Sequence, residues 1–386
     1  MNEEENNWHF ETESVHSGLS YNEETGAVIP PIFATSTFES DNQYGFDYTR
    51  SGNPNFRNLE EVLKRNENAK YATVFASGVS AITAILSTLN SNSLVLAEEN
   101  IYGCTYRLMD KVFSKFGVSV KYSDLTKKEN IDAIADIKPD ILWIESPTNP
   151  MLKILDIKSI AEASKAVGAN LVVDNTFASS FIQCPLDLGA DLSLLSLTKY
   201  ANGHSDALGG VVCSNNEEWA DKMVFAQKAL GLQPSPFDCW LIQRGLKTQS
   251  IRVERHSKNA EKIALYLTDR FPDRKVIYPF LECHPQYNLA VKQMSLGSGI
   301  ITVDLGLDLE TTKSFLNELN LFTKAESLGG IESLVCHPAS MTHASVPKSV
   351  RESVGISDSL FRLSVGIENS DDLIKDICSA LKKIGI

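Results

Sequence analysis

The stretch ILWIESPTNPMLKILDIKSIAEASKAVGANLVVDNT, residues 141–176, contains two short apolar runs on either side of a segment with helical periodicity. The runs ILWIE and LVVD are typical of buried strands, and IKSIAEASKAVG between them repeats apolar side chains at the spacing of one helix face. A strand, a helix and a second strand in this order predict a βαβ unit, in which the two strands are parallel.

The same alternation continues on both sides of this unit. Further strands are predicted at YATVFA (71–76), SLVLAE (93–98), VSVKYS (118–123) and LSLLS (192–196). Helices are predicted at NLEEVLKRNENA (58–69), SGVSAITAILSTLN (77–90) and TYRLMDKVFSKF (105–116). Strands alternating with helices predict an α/β fold with a mostly parallel sheet that helices cover on both faces.

The pattern changes near both ends of the chain. Residues 1–57 are rich in Asn, Ser, Gly and Pro without periodicity, which is typical of a segment that is disordered or lies over something else, often another subunit. Long helical stretches follow at 217–230 and 237–267, then the strands GIITVDLG and LFRLSVG and a closing helix SDDLIKDICSALKKI. We therefore predict an N-terminal arm at 1–57, a large domain at 58–240 and a smaller α+β C-terminal domain at 241–386.

The charge of the chain favours a small-molecule enzyme. Its 386 residues carry a formal net charge of −13 and a pI near 5.1, so nucleic acid and anionic membrane surfaces would repel it. Its apolar runs are shorter than the roughly 18 residues of a membrane span. The acidic, polar N-terminus also differs from a signal peptide. We expect a cytoplasmic protein with neither a nucleic-acid nor a membrane partner.

The seven cysteines are scattered and never spaced as CxxC, which is typical of reduced thiols. Two stretches, ECHPQ and VCHPASMTH, place Cys283, His284, Cys336, His337 and His343 near one another in sequence. Neither stretch has the spacing of a zinc finger or of HExxH, so we predict no metal site.

Small and polar residues follow successive predicted strands. In open α/β sheets the functional groups lie just beyond the carboxyl ends of the strands. The candidates at these ends are Ser77, Gly78, Val79, Tyr102, Asn149, Asp174, Thr176, Ser196, Thr198 and Lys199.

This set matches the requirements of pyridoxal 5′-phosphate. The cofactor needs a lysine amine for covalent attachment and a carboxylate against its pyridine nitrogen, here Lys199 and Asp174. Its phosphate needs helix N-terminal amides and hydroxyl groups. We expect those from residues 77–79 with Ser196 and Thr198, and we expect Tyr102 to lie over the ring.

Each residue also has an ordinary structural interpretation. A lysine after a strand is usually a solvated surface group, LVVDNT can end in an Asx turn, and a serine before a glycine can be only a helix cap. Their occurrence together at successive strand ends favours the cofactor site. A GxGxxG fingerprint and a Walker A motif are absent from the sequence, which disfavours a nicotinamide dehydrogenase and a nucleotide hydrolase.

Motifs along nearly the whole chain resemble one family. They are YTRSGNP, YGCTYR, ESPTNP, VVDNTFASS, SLTKYANGHSD, RGLKT, AESLGGIESLVCHPASMTHAS and RLSVGIE. The chain is similar to the cysteine and methionine metabolism branch of fold-type I pyridoxal-phosphate enzymes. The resemblance implies an aspartate aminotransferase-like fold and an amino-acid substrate. It also implies a homotetramer, a dimer of dimers with shared active sites.

The resemblance also implies roles for individual residues. Lys199 would be the cofactor-binding lysine and general acid/base, and Asp174 the partner of the ring nitrogen. Tyr102 would stack on the ring and take part in proton transfer. The other implied cofactor-binding residues are Ser77, Gly78, Val79, Thr176, Ser196 and Thr198, with Tyr48 and Arg50 reaching into the neighbouring subunit's site. The implied substrate-binding residues are Arg362 for the α-carboxylate, Asn149 and Ser327 beside it, Glu326 and Arg107 at the distal end, and Tyr48.

The reaction is less sharply defined by these motifs. Glu326 stands where γ-lyases and γ-synthases of the family commonly have glutamate, which favours γ-elimination or γ-replacement on cystathionine or an O-acyl-homoserine. The alternatives are a cystathionine β-lyase, a methionine γ-lyase, an O-acetylhomoserine sulfhydrylase or a catalytically silent binding protein. Cys104, Tyr106 and Lys324 depart from the usual γ-lyase pattern, and we expect all three to border the substrate pocket.

Overall fold

The computed structural model describes residues 8–19, 25–342 and 348–386. His343 and parts of the predicted arm, residues 1–7 and 20–24, lie outside the described residues. The described strands are β1 Tyr71–Phe75, β2 Leu94–Glu98, β3 Ser119–Ser123, β4 Ile141–Glu145, β5 Asn170–Asp174, β6 Leu192–Ser196, β7 Gly210–Ser214, β8 Lys275–Ile277, β9 Ile300–Asp304, β10 Thr323–Lys324, β11 Leu334–Cys336 and β12 Leu360–Ser364.

Helices alternate with these strands in the first half of the chain and lengthen in the second. The described α-helices are α1 Phe10–His16, α2 Pro54–Asn66, α3 Gly78–Leu86, α4 Gly103–Arg107, α5 Lys128–Asp132, α6 Ile134–Ile137, α7 Ile157–Val167, α8 Glu217–Leu230, α9 Pro236–Leu246, α10 Gln249–Arg270, α11 Tyr287–Gln293, α12 Leu309–Glu318, α13 Lys348–Ser353 and α14 Ser370–Lys383. Across this described part, no helix is long and apolar enough to cross a membrane.

The βαβ unit predicted from residues 141–176 is confirmed. The Asp156 side chain caps α7 by accepting the Ser159 N–H, and Gly168 ends the helix with a positive φ of 75°, which glycine adopts without strain. Strands β4 and β5 on either side of α7 are parallel neighbours. Local capping signals therefore set both ends of the crossover helix.

The predicted, mostly parallel sheet is also confirmed. Seven strands lie in the order β1-β7-β6-β5-β4-β2-β3, and only β7 runs against its neighbours. Alternate residues of β4 enter opposite cores: Trp143 packs in one with α3 and α8, and Leu142 packs in the other with α7. The sheet is thus buried on both faces, as an α/β fold requires.

A second, five-stranded sheet is built from the C-terminal half, in the order β10-β11-β12-β9-β8. Its core includes Val303 and Phe361 from the strands with Ile263 and Ile377 from α10 and α14. The predicted domain boundary at 240/241 falls inside α9, a helix that packs against α2. The division into an arm and two domains stays a prediction.

Three segments differ from the sequence prediction. The stretch 237–267 forms two helices rather than one, because the Gly245 carbonyl accepts bonds from the Arg252 guanidinium and the Thr248 N–H at the break. Residues 105–116 begin as α4 and continue as a π-helix over 108–112 and a 3₁₀-helix over 113–116. The arm contains α1, where the Phe10 ring packs 5.1 Å from the Phe181 ring, a tertiary contact that its short-range pattern does not reveal.

Candidate active site

One cavity of about 210 Å³ lies at the carboxyl ends of the large sheet, where the second sheet closes over it. It is lined by Ser77, Gly78, Val79, Ile82, Tyr102, Glu145, Pro147, Asn149, Asp174, Thr176, Phe177, Leu194, Ser196, Thr198, Lys199, Leu208, Glu326, Ser327, Leu328, Thr342 and Arg362. The structure therefore brings together all the predicted site residues except Tyr48, Arg50 and Arg107.

Lys199 follows β6 and extends its side chain into this cavity. Its Nζ donates a hydrogen bond to the Ser327 Oγ at 2.8 Å. Burial, and next the positive charge of Arg362, lower the pKa of Lys199 to about 8. An amine with this pKa is neutral in part near pH 7, which is the form that attacks a carbonyl group.

Asp174 ends β5 on the cavity wall and is 8% exposed. Its Oδ1 accepts the Thr176 N–H at 3.0 Å, a bond that favours the ionised form. Burial has the larger effect and raises the pKa of Asp174 to about 6. The carboxyl group is thus held at the sheet edge, ready to pair with a positive group brought into the cavity.

The N-terminus of α3 forms one end of the cavity. The Ser77 Oγ accepts the Ser80 N–H at 3.1 Å and so caps the helix. A Cβ atom on Gly78 would lie 2.8 Å from the Ser196 Cβ, so only glycine fits this close approach between helix and strand. Free helix N–H groups beside the hydroxyls of Ser196 and Thr198 make a cradle for an anion such as phosphate.

Arg362 of β12 provides the opposite wall and is 2% exposed. Its Nη1 donates to the Asn149 Oδ1 at 2.9 Å and its Nη2 to the Ser327 carbonyl at 2.8 Å. Its Nε has no hydrogen-bond partner among the described residues. A buried donor without a partner is costly, so this guanidinium is suited to a carboxylate entering the cavity.

Tyr102 and Glu326 complete the polar lining. Burial, followed by a hydrogen bond and charge repulsion from Cys104, raises the pKa of Tyr102, so its hydroxyl stays protonated at neutral pH. Glu326 lines the same cavity as Arg362 and so places a carboxyl group and a guanidinium around one space.

Three predicted residues lie outside this cavity. Tyr48 is 44% exposed, and the Arg50 Nη1 donates to the Lys228 carbonyl at 3.0 Å with its guanidinium 5.6 Å from the Tyr48 ring centre. Arg107 is the last residue of α4 and is exposed. Their roles at the site stay predictions.

The three departures from the family pattern differ in position. Cys104 contacts the Tyr102 side chain, and this contact contributes to the raised pKa of that tyrosine. Tyr106 lies two residues further along α4, where its ring centre is 5.3 Å from that of Tyr122. Lys324 is exposed and donates to the Asn317 Oδ1 at 3.0 Å. None of the three residues lines the cavity, and the expectation that they border the substrate pocket stays a prediction.

Two of the histidines that were considered as metal ligands lie within hydrogen-bond distance of backbone carbonyl groups instead. The His284 Nε2 lies 3.1 Å from the Leu152 carbonyl, and the His337 Nε2 lies 2.8 Å from the Asp358 carbonyl. The described cysteines are free, and Cys283 is exposed. The prediction of no metal stays a prediction.

Sequence reasoning missed several lining residues, above all Glu145 and Phe177. Glu145 is the last residue of the run ILWIE, and the strand-end rule applied to that position would have included it. Phe177 contacts the Arg362 guanidinium, 5.6 Å from the ring centre, across a sequence distance that no local pattern spans.

The chain matches a known protein family over nearly its whole length. The family model described as "Cys/Met metabolism PLP-dependent enzyme" matches residues 11–382. The cystathionine gamma-lyase of Dictyostelium discoideum is 44% identical over 382 residues, covering 98% of this chain and 99% of that protein. A cystathionine beta-lyase of Lactococcus lactis subsp. cremoris (strain MG1363) is also 44% identical, over 97% of this chain and 99% of its own.

A solved cystathionine gamma synthase from Xanthomonas oryzae pv. oryzae superimposes with a TM-score of 0.94 at 39% identity, covering 98% of each chain. Its likeness covers both sheets, so the cavity between them belongs to a shared architecture. The match extends over practically the full length of the relatives rather than one motif. The chain therefore belongs to the Cys/Met metabolism enzymes, and it is a pyridoxal-phosphate-dependent enzyme of trans-sulfuration.

Proposed function

We propose that this enzyme catalyses γ-elimination or γ-replacement on cystathionine or an O-acyl-homoserine. The single observation that carries the proposal is that Glu326 lines the same cavity as Lys199 and Arg362. A guanidinium at one side suits an α-carboxylate, and a carboxyl group at the other suits the distal ammonium of cystathionine.

The residues of the cavity fit pyridoxal phosphate, as the carboxyl group of Asp174, the amine of Lys199 and the cradle at Gly78 each match one part of it. When bound, the cofactor supplies the electron sink that makes the α-proton of the substrate acidic. The phosphate end and the ring would be held by the other cofactor-binding residues predicted from the sequence, Ser77, Val79, Thr176, Ser196 and Thr198.

The proposed mechanism assigns one task to each remaining group. The guanidinium of Arg362, oriented by Asn149, fixes the α-carboxylate. The amine of Lys199 accepts the proton from Cα and would pass it on to the conjugated system that the cofactor supplies. The amine, neutral again, can then accept a second proton from Cβ, so that the group on Cγ can depart. The Tyr102 hydroxyl, which stays protonated, is a proton donor for the departing sulfur.

A substrate panel tests this choice of reaction. Purified enzyme is supplied with cystathionine, O-succinyl- and O-acetylhomoserine, homocysteine, methionine and cysteine. Cysteine and 2-oxobutyrate from cystathionine support γ-cleavage. Homocysteine and pyruvate indicate β-cleavage and contradict the proposal. Sequence identity does not separate the two reactions, since the Dictyostelium gamma-lyase and the Lactococcus beta-lyase are each 44% identical to this chain.

Replacing Arg362 by lysine is expected to lower kcat/KM about 10- to 100-fold, the cost of losing charge-assisted hydrogen bonds. The ammonium of lysine keeps the positive charge but cannot form the planar fork that bonds Asn149 and the substrate together. Steady-state kinetics on cystathionine measure the change, which we expect mainly in KM. The control is Arg270→Lys on the exposed end of α10; equal losses in both variants would contradict the assignment.

Loading of the cofactor is expected to accelerate with rising pH, with a midpoint near pH 8. With the pKa of Lys199 at about 8, roughly a tenth of the amine is neutral at pH 7, and the neutral fraction rises to about half where the pH equals the pKa. The growth of visible absorbance after apoenzyme and pyridoxal phosphate are mixed gives the rate at each pH. In Arg362→Met the midpoint should move upward, since a charge that lowers the pKa is gone; an unchanged midpoint would argue against this cause.

We also propose that active sites are shared in a homotetramer, with Tyr48 and Arg50 gripping the phosphate in a neighbouring subunit. Both side chains are exposed and neither lines the cavity of its own chain, which supports this proposal. Lys199→Ala and the double variant Tyr48→Phe, Arg50→Ala should each be inactive alone. When they are co-expressed, about a quarter of the activity should return, because half the dimers are mixed and each carries one intact site. No recovery would show that each chain uses its own Arg50.

The proposed location is the cytoplasm. The described cysteines are all free, which suits a reducing compartment. Fractionation of cells followed by detection of the chain tests this, and recovery outside the cytoplasmic fraction would contradict it.

A further inference from the structure

Glu145 is a buried carboxyl group in the cavity wall to which the proposed mechanism assigns no task. It ends β4, is 4% exposed and lines the cavity. Strand pairing places it directly beside Asp174 of β5, in the same register. Because side chains alternate along a strand, Glu145 lies on the same face of the sheet as Trp143, towards the core that contains α3.

The carboxyl group of Glu145 contacts the backbone of two separate segments. Its Oε1 accepts the Tyr102 N–H at 2.5 Å, immediately before α4. The backbone N–H of Asn149 also interacts with it and favours its ionised form. Tyr102 is the residue proposed to stack on the cofactor, and Asn149 orients Arg362. The Glu145 side chain therefore holds the backbone of Tyr102 on the cofactor side of the cavity and the backbone of Asn149 on the substrate side.

The neighbouring charges favour a protonated Glu145. Burial, and next the charge of Asp174, raise the pKa of Glu145 well above its ordinary value, and Glu98 of β2 adds a smaller effect in the same direction. Two carboxyl groups in register on adjacent strands do not both ionise readily. A proton on Glu145 leaves the negative charge of the pair on Asp174, where the ring nitrogen needs it.

We propose that Glu145 is a positioning residue that, as a neutral acid, holds Tyr102 and Asn149 in place and leaves the negative charge of the pair on Asp174. This inference rests on the proposed roles of Tyr102, Asn149 and Arg362. It differs from them because Glu145 touches neither the reacting atoms nor the substrate carboxylate in this assignment and acts only through its neighbours.

The holoenzymes of Glu145→Gln and Glu145→Ala test the proposal. Glutamine is a neutral isostere whose Oε1 can still accept the Tyr102 N–H, so its kcat/KM should stay within about threefold of wild type. Alanine removes the acceptor, so kcat/KM should fall about 10- to 100-fold, the effect of one or two hydrogen bonds. Loss of Tyr102 packing should lower kcat, and loosening of Asn149 and Arg362 should raise KM.

The visible circular dichroism of the bound cofactor is the second measurement. This signal arises from the asymmetric surroundings of the ring, so it should decrease in Glu145→Ala and stay unchanged in Glu145→Gln. Glu60→Ala and Glu60→Gln are matched controls: Glu60 accepts the Val74 N–H at 3.1 Å and burial raises its pKa to about 7, but it lies outside the cavity. Neither control should change the circular dichroism or kcat/KM.

Two results would overturn the proposal. If Glu145→Ala matches Glu60→Ala in circular dichroism and kinetics, Glu145 has only a structural role. If Glu145→Gln is as impaired as Glu145→Ala, the neutral acid is not the working form. Should the alanine variant not fold, Glu145→Asp replaces it, since a carboxyl group one methylene shorter cannot reach the Tyr102 N–H. A wild-type holoenzyme that fails to cleave the substrate panel would instead contradict the proposed function.

Discussion

Lys199→Ala is expected to lower kcat by at least about 10³-fold, the range found when a general acid/base is removed. The variant lacks the amine that attaches the cofactor and the base that accepts the α-proton. The largely buried position of this side chain and its bond to Ser327 place the amine where both tasks are performed. Turnover on the substrate panel and visible absorbance after addition of pyridoxal phosphate measure the two losses separately.

The matched control for this variant is Lys158→Ala, which removes an exposed lysine from α7. It should keep full activity and the full absorbance of the bound cofactor. Native mass and thermal unfolding of both variants check that the chain still folds. Retention of wild-type turnover by Lys199→Ala would refute the assignment of this lysine and, with it, the mechanism.

Asp174→Asn is expected to lower kcat by about 10²- to 10³-fold, the typical cost of removing one preorganised electrostatic partner of a developing charge. The amide keeps the size of the side chain and its Oδ1 can still accept the Thr176 N–H, so the loop geometry is retained. It cannot carry the negative charge that keeps the ring nitrogen protonated. We expect the cofactor to remain bound through Lys199, with a shifted visible spectrum and slow turnover.

Asp191→Asn provides the comparison for this variant. Asp191 precedes β6 at the opposite edge of the sheet, its Oδ2 accepts the Leu171 N–H at 2.7 Å, and burial raises its pKa. A loss of kcat that comes only from neutralising a partly buried, backbone-bonded carboxyl group should appear in Asp191→Asn too. A wild-type kcat in Asp174→Asn, or equal losses in the two variants, would mean that Asp174 does not support the cofactor.

The visible spectrum and the steady-state kinetics together distinguish residues that contact the cofactor from residues that bind the substrate. Lys199→Ala and Asp174→Asn should change the visible spectrum, because both residues are expected to touch the ring system. Arg362→Lys should leave the spectrum unchanged and raise KM, because its guanidinium faces the carboxylate end of the cavity. A changed spectrum in the first two variants and a raised KM alone in the third would show which part of the cavity binds the cofactor and which binds the substrate.

The part of the site on the large sheet could be predicted from local patterns. An apolar run followed by polar residues marks the end of a strand, and parallel strands bring such ends to one edge. Ser77, Asp174 and Lys199 were found by this rule alone, and all three line the cavity. Glu145 is the last residue of its strand, so the rule has to cover the final residue of a strand as well as the residues that follow it.

The strand β7 shows a different limit of sequence reasoning. Its residues GVVCS are as apolar as those of a parallel strand, and nothing in the five letters tells its direction. The structure inserts it antiparallel between β1 and β6, and of these two neighbours β1 is distant from it in sequence. A Cβ atom on Gly210 would lie 2.3 Å from the Ser77 carbonyl, so this pairing also fixes the start of α3 at the cavity.

By itself, the sequence determined the α/β class, the βαβ unit at 141–176, the family and the strand-end residues, because periodicity and turn chemistry are local properties of the chain. Only the tertiary structure decided that Arg362 and Glu326 from the second half complete a cavity on the first sheet. It also decided that Glu145 stands in register with Asp174. The tertiary structure also decides the lowered pKa of Lys199 and the raised pKa of Asp174, because burial and neighbouring charges arise only when distant segments pack together.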